Sequence, residues 1–360
     1  MINRTAILCF STGIALLSTK IAAICADPMS ALTGLFPQIV VACVVLGLFW
    51  TGMRTRKGFK KRYELRWTAL LLVSVGCLMT GFILTIAWVD YNLAQRTCDH
   101  VYNEPYKVWA TRGLVTDGSD GSPVRVRNSI ESIRYAFSRG AGGTEVDVFY
   151  DPEMQKFIVS HASRYEKPNG VLLSLDTLFN ALGDKGYFWL DWKKIRYLNH
   201  NQLQDALTRL KQITNRGTLK DRVYVEGEAP LRLLAVKQAG FQTIYDCRPM
   251  LDANILSPVI VAVFKAVYYF GRFTVMGMNS GSSSAPIFGP KTRRSLRNIP
   301  VFLYHMPDDM KFLEKLTSVR NVRVIIIRQD IDRFGFTPNT CSVGKSSTQP
   351  HDSTFFKDCI

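Results

Sequence analysis

Three apolar blocks crowd the first 90 residues, and they divide the chain before any other feature does. They run from Ala6 to Cys25, interrupted by Lys20, from Ala31 to Trp50, and from Trp67 to Val89. The second and third lack ionised side chains, and each is long enough to cross a hydrocarbon core of about 30 Å. The first ends in a small-residue stretch, Ala22-Ala23-Ile24-Cys25-Ala26, that also suits a signal peptide. Two further blocks follow it at once, so it reads as a third spanning helix, with a signal peptide as the alternative. Helices are thus predicted over about 6–25, 31–50 and 67–89.

Orientation follows from the loops. Residues 51–66 carry Arg54, Arg56, Lys57, Lys60, Lys61, Arg62 and Arg66 around that turn, opposed only by Glu64. Such a loop stays cytoplasmic. Everything beyond Asp90 then lies on the far side, periplasmic or otherwise extracytoplasmic, of what would be an inner or plasma membrane crossed several times. Nine basic and three acidic residues lie within 1–90, which leaves 36 against 26 for the remaining 270 residues, a net of +10. The outer part is basic in its own right, which suits an anionic membrane surface or a phosphate-bearing substrate. At 21% charged and 47% hydrophobic residues the chain is neither disordered nor fibrous. Of eight cysteines, Cys98, Cys247, Cys341 and Cys359 lie beyond the apolar blocks, enough for two disulfides in one of three pairings. Cys341 with Cys359 would tie down the polar tail at 335–360. No C-x-x-C pair suggests structural zinc.

Residues 91–334 alternate strand and helix. Short apolar or alternating runs at 107–111, 144–150, 187–193, 222–226, 242–247, 273–278, 301–305 and 322–328 read as strands, with 156–161 as a hairpin partner. Amphipathic helices are predicted over 128–139, 175–182, 201–216, 230–239 and 308–319. Eight strands in about 240 residues fit a TIM-type (β/α)8 barrel, an α/β fold whose chemistry sits at the carboxyl ends of the strands. Those ends carry Arg112, Glu145 and Asp147, His161 on the hairpin, Asp191 and Lys193, Glu226 with Glu228 beyond it, and His305. Period-2 spacing puts Glu145 and Asp147 on one face, and Asp191 and Lys193 on another. Three converging carboxylates suit a hard divalent cation, Ca²⁺ or Mg²⁺. Arg112 and Lys193 beside it suit a phosphodiester.

With these motifs in order, the stretch from Lys107 to Lys193 resembles the glycerophosphodiester phosphodiesterases, within the phospholipase-C-like phosphodiesterase superfamily. Thr111-Arg112-Gly113 stands where the family has His-Arg-Gly, and Val126-Arg127-Asn128-Ser129 loosely matches Pro-Glu-Asn-Thr. Glu145 and Asp147 match Glu-x-Asp, His161-Ala162 matches His-Asp, and Asp191 with Lys193 matches Glu-x-Lys. The resemblance implies a metal held by Glu145, Asp147 and Asp191, phosphate gripped by Arg112 and Lys193, and acid/base catalysis by His161; Arg127 adds a cation that suits the same phosphate. It also implies a hydrolase acting on a glycerophosphodiester or lipid-linked phosphodiester, and the apolar blocks make that hydrolase membrane-anchored.

The departures are as specific as the matches. Threonine titrates nowhere near neutrality, so Thr111 cannot replace the family's first histidine. Arg127 stands where the family has glutamate, and Ala162 where it has aspartate. His305 is the candidate replacement base; the alternative is a neutral residue before the helix near Asp308. The metal and phosphate half of the site is intact and the acid/base half is damaged. Three readings stay open: hydrolysis by a changed mechanism, binding of an anionic lipid or glycan phosphate without turnover, or a relic scaffold. Nucleic acid is not an expected partner, since no dense aromatic–basic groove motif is present; the bilayer and a phosphodiester headgroup are, and oligomeric state stays open.

Two further segments bear on the substrate. Residues 251–272 form an apolar insertion, read either as an interfacial helix with Lys265 and Arg272 on headgroups or as an extra helix packed on the barrel or the spanning helices. Asn279 to Pro290, rich in Gly and Ser, reads as a mobile loop over the site or a plain solvent loop.

Overall fold

The computed structural model describes residues 61–96, 101–116, 118–119, 123–162, 165–167, 170–227 and 229–327. The helices expected over 6–25 and 31–50, Glu228 and the tail at 335–360 lie outside the described residues. The third apolar block forms α1, Lys61–Ala94, six residues longer at its start than expected because the basic stretch continues the helix. Its part from Ser74 to Ala94 is long and apolar enough to cross a membrane. Val75, Met79, Ile83 and Leu84 on it are exposed.

The rest is the expected barrel. Chain order is β1 (Val108–Thr111), α2 (Ile130–Ser138), β2 (Gly143–Asp151), β3 (Lys156–Val159), α3 (Leu175–Leu182), β4 (Tyr187–Trp192) and α4 (His200–Thr214). Then come β5 (Val223–Gly227), α5 (Pro230–Gln238), β6 (Gln242–Cys247), α6 (Ser257–Gly271), β7 (Val275–Asn279), α7 (Pro290–Leu296), β8 (Val301–Tyr304), α8 (Met310–Thr317) and β9 (Val322–Ile327). Eight strands pair in parallel in the order β1-β9-β8-β7-β6-β5-β4-β2, and β1 pairs again with β2 to close the ring. β3 is the antiparallel hairpin partner of β2.

Strand alternation builds the site directly. Residues facing the helices are aliphatic or aromatic: Val146, Val148, Phe188, Leu190, Val223 and Val225, all fully buried. The residues between them fill the barrel with a second cluster containing Trp109, Trp189, Tyr224, Ile244, Val275, Phe302 and Val324. Phe302 packs at 5.6, 5.4 and 5.1 Å from the rings of Trp109, Trp189 and Tyr224. Two residues further along the same strands, on the same face, stand Thr111, Asp191, Glu226, Asp246 and Tyr304. The barrel is thus apolar below and polar at its mouth. Tyr102 closes the lower end: its backbone N–H donates to the Tyr224 hydroxyl at 2.9 Å. Gly143 is required at the β1–β2 seam, because a Cβ there would stand 2.4 Å from the Trp109 ring.

The apolar insertion becomes α6, and its inner face packs on the barrel and on α1, one of the two arrangements open from sequence. Trp88 of α1 stacks on Phe270 at 6.0 Å and meets Tyr269 edge-on at 5.2 Å. Lys265, 3% exposed, forms an ion pair with Asp90 and donates to the Ser295 carbonyl at 3.0 Å. The outer face carries exposed Val259 and Val263, and exposed Ile255 and Leu256 stand just before the helix. Asp90→Ala leaves the Lys265 ammonium buried without its counter-charge, and we expect it to cost about 3 kcal/mol, whereas Asp90→Leu/Lys265→Met is expected to cost about 1 kcal/mol or less. Chemical denaturation of the two proteins checks this.

Two expectations need correction. The segment 279–290 is pinned rather than a free lid. Ser280 N–H donates to the Tyr304 carbonyl at 3.0 Å, Ile287 and Phe288 N–H both reach the Ser280 carbonyl at 3.2 Å, and the Phe288 ring is 1% exposed. A helix then forms at α7, where none was expected, because the Asp252 carboxylate accepts from Lys291 N–H at 3.1 Å and Thr292 N–H at 2.6 Å. Cys247 is a fully buried thiol with no disulfide among the described residues. Cys98, Cys341 and Cys359 lie outside the described residues.

Candidate active site

Asp147 is the hub of the barrel mouth. It is fully buried at the middle of β2, near the end of that strand's ladder with β4. Arg112 Nε lies 2.6 Å from its Oδ2 and Lys193 Nζ 2.9 Å from its Oδ1. Asn128 Nδ2 donates to Oδ2 at 3.1 Å, and His161 Nδ1 lies 3.3 Å from Oδ1. Lys193 also pairs with Asp191 Oδ2, and Arg112 Nε stands 4.0 Å from Glu145 Oε1.

Local backbone geometry delivers these groups. Arg112 (φ 59°) and Gly113 (φ 76°) form a left-handed turn directly after β1. Arg112 N–H donates to the Glu145 carbonyl at 2.9 Å, and its own carbonyl accepts from Asn128 N–H at 2.9 Å. Asn128 is itself left-handed (φ 55°), a conformation asparagine tolerates. It precedes Ser129, which caps α2 with a hydrogen bond to Ser132 N–H. Lys193 N–H donates to the Val148 carbonyl at 2.9 Å, holding the residue after β4 against β2.

The electrostatics are uneven. Burial raises the Glu145 carboxyl well above its ordinary range, and the charges of Asp147 and Asp191 raise it further. At Asp147 the same burial is outweighed by Lys193 and Arg112, so this carboxyl is held low. Burial also pushes Asp191 up against the pull of Lys193. Lys193 is held strongly protonated, because Asp191 and Asp147 outweigh its own burial. Across the mouth, burial and the charges of Asp191 and Asp246 raise Glu226 well above its ordinary value, although Trp189 Nε1 donates to its Oε2 at 2.6 Å. Tyr304 donates to Asp246 Oδ1 at 2.8 Å, and Arg248 Nε lies 3.5 Å from Oδ2.

The expected metal set is therefore brought together. Glu145, Asp147 and Asp191 offer ligand oxygens all within 4.8 Å of one another. The residues fit a hard cation on a second ground: Glu145 Oε2 is buried with no hydrogen-bond partner. An orphaned carboxylate oxygen beside two more carboxyls is costly unless a cation or proton sits there. Arg112, Lys193 and His161 join the cluster as expected. His161 remains half-exposed, with 48% of its side chain open to solvent.

Two expected residues are placed differently. Arg127 is exposed, and its neighbour Asn128 is the member of that motif that reaches Asp147. His305 lies one residue past β8 with φ 55°, exposed, its Nδ1 3.2 Å from Asn279 Nδ2. The inward alternation of β8 is Phe302 then Tyr304, so the polar group delivered to the mouth is Tyr304. Asp246, two residues beyond Ile244, escaped notice although the same period-2 rule finds it.

Two clefts flank Lys193. A cavity of about 160 Å³ is lined by Asp191, Lys194, Glu226, Asp246 and Arg248. A larger one, about 300 Å³, is lined by Phe149, Tyr150, Tyr165, Trp192 and Tyr197.

No protein-family model matches this sequence, and no curated protein matches it with significance. Solved structures similar to it include a glycerophosphodiester phosphodiesterase from Parabacteroides distasonis, 18% identical with a TM-score of 0.44. A phosphodiesterase from Oleispira antarctica, in complex with the product sn-glycerol-3-phosphate, is 12% identical with a TM-score of 0.45. Each likeness covers 64% of this chain and 94% of the other. Phosphoribosyl anthranilate isomerase from Thermus thermophilus is similar over 62% of this chain and 86% of its own, at 11% identity and a TM-score of 0.34.

Proposed function

We propose that this chain is a membrane-anchored, metal-dependent phosphodiester hydrolase acting on a glycerophosphodiester or a lipid-linked phosphodiester. The observation that carries the reading is the interlocked set of Glu145, Asp147 and Asp191 with Arg112 and Lys193, in which one buried carboxylate oxygen has no partner. These carboxylates would hold Ca²⁺ or Mg²⁺, which when bound neutralises phosphate charge and stabilises the transition state.

The chain's own residues do the rest. Arg112 and Lys193 exchange part of their contact with Asp147 for the phosphate oxygens, and both remain cationic throughout. Asp147 accepts a hydrogen bond from His161 Nδ1–H and so leaves Nε2 free to take or give a proton at the reacting oxygen. The polar cleft by Glu226 and Asp246 suits a hydroxyl- or amine-bearing headgroup, and the aromatic cleft by Tyr165 and Trp192 an apolar body. Anchoring is supported by the length of α1 and by the exposed apolar side chains on α1 and on the outer face of α6. The basic stretch at 51–66 favours an extracytoplasmic barrel.

Thr111 supports a second reading. With one proton-transfer group where the resemblance implies two, the site is also suited to hold an anionic lipid or glycan phosphate without turning it over. Alanine variants of both histidines, assayed on the metal-loaded full-length protein, separate the two. His161→Ala is expected to lower turnover by about 10²–10⁴, while His305→Ala leaves it within about twofold, because His305 lies past the end of β8, exposed, with the inward position taken by Tyr304. Equal rates for wild type and His161→Ala overturn the assigned role.

A further inference from the structure

A cluster of positive charge lies away from the carboxylate cluster, between the pinned 279–290 segment, α7 and α8. There a cavity of about 290 Å³ is lined by Arg293, Lys311 and Lys315 above an apolar floor of Phe288 and Phe312. Phe288, in the pinned segment, and Phe312, on α8, are 1% and 7% exposed and form the packed base of the cleft. Arg293 Nε is buried and has no hydrogen-bond partner. Among the described residues no carboxylate comes within ion-pair distance of Arg293, Lys311 or Lys315. The one acid lining the cleft, Asp309, caps α8, accepting from Phe312 N–H at 3.0 Å, and its charge offsets part of that of Lys311 while leaving Arg293 and Lys315 without a carboxylate at ion-pair distance. Lys311 and Lys315 are spaced four residues apart on α8 and so lie on one face of it.

A buried guanidinium nitrogen without a partner is costly, and two neighbouring ammonium groups add repulsion. An oxyanion relieves both terms: a planar guanidinium offers paired donors to it and the lysines supply point charge. A bare inorganic anion would leave the phenyl floor unused. We infer that this cleft is a second binding site, distinct from the carboxylate cluster, for an anionic amphiphile: an oxyanion such as a phosphate monoester carried on an apolar body. Such a site on the barrel rim would recruit anionic lipid or its cleavage product without acting on it.

The test is calorimetric titration of the full-length protein, held in uncharged lipid nanodiscs, with hexyl phosphate and with inorganic phosphate. Hexyl phosphate is expected to bind the wild type more tightly than inorganic phosphate, by the burial of its chain on the floor. Arg293→Gln and Lys311→Gln/Lys315→Gln are each expected to weaken hexyl phosphate binding about tenfold or more, the loss of one or two charge-assisted contacts. The double lysine variant alters only exposed side chains, so the test survives if Arg293→Gln fails to fold. Arg134→Gln, an exposed position on α2 outside both sites, is expected to leave this binding event unchanged. Undiminished binding in Lys311→Gln/Lys315→Gln, or inorganic phosphate binding as tightly as hexyl phosphate, overturns the proposal. Diester turnover is not read in any arm, so the result stands apart from the fate of the hydrolase reading.

Discussion

Glu145→Gln will abolish divalent-cation binding while leaving the metal-free protein at least as stable as the wild type. Asp147→Asn will do the opposite to stability, at a cost of about 3–5 kcal/mol. The contrast follows from who pays for each charge. Glu145 is buried, has an oxygen without a partner and faces two other carboxyls, so its ionised form opposes folding. Asp147 is the counter-charge for Arg112 and Lys193, which stay uncompensated when it is neutral. Cation affinity should fall by more than about a hundredfold in either variant, since even removal of a residue that merely supports a ligand costs 10–100-fold. Direct titration with Ca²⁺ and Mg²⁺ checks that half, and denaturation in chelator the other.

A pH dependence goes with it. The folded-state pKa of Glu145 is raised, so the unfolded chain releases that proton first as pH rises. Stability of the metal-free protein is then fully present below the ordinary carboxylate value near 4.5 and is lost as pH climbs through the raised value. Glu145→Gln flattens this fall, and so does saturating divalent cation. A wild-type protein whose stability in chelator rises between pH 5 and 8 contradicts the placement of Glu145.

Trp109→Ala will cost about 3–5 kcal/mol, the range for deleting a fully buried large ring. Trp109 sits at the barrel's closing seam, fully buried, with Tyr102 at 5.0 Å and Phe302 at 5.6 Å. Its strand pairs with β2 only through Ala110↔Thr144 and Thr111↔Glu145. Loosening this layer therefore moves Glu145 and the turn that aims Arg112. Gly143→Val is the reciprocal test: its side chain would overlap the same ring, so it too should unfold the barrel at lower denaturant. Both are read from denaturation midpoints, and a wild-type midpoint in either contradicts the packed-barrel description.

How much of this was legible in the sequence depended on period. Alternation of the strand residues and amphipathic helices between them carried the barrel, its strand order and the carboxylates at 145, 147 and 191. The same alternation contained Asp246 and Tyr304, but each lies one residue from a more conspicuous neighbour. His305 drew attention that β8 gives to Tyr304, because a one-residue shift along a strand exchanges its faces. Arg127 was overvalued in the same way beside Asn128, whose left-handed backbone is a tertiary feature with no periodic signature. The pinning of 279–290 rests on the Phe288 anchor and the Asp252 cap, contacts made across about 40 residues of chain. Composition alone pointed to mobility there. α7, seven residues rich in cations, has too little apolar periodicity to announce itself.

The most direct measurement is hydrolysis by the purified full-length protein of a panel of glycerophosphodiesters and lysophospholipids, with Ca²⁺, with Mg²⁺ and with chelator. The expected result is turnover that requires a divalent cation, is slow for want of a second histidine, and disappears in Glu145→Ala/Asp147→Ala. No turnover on any substrate, from a wild-type protein that still binds the cation, would contradict the hydrolase reading and leave a phosphate-binding barrel in its place.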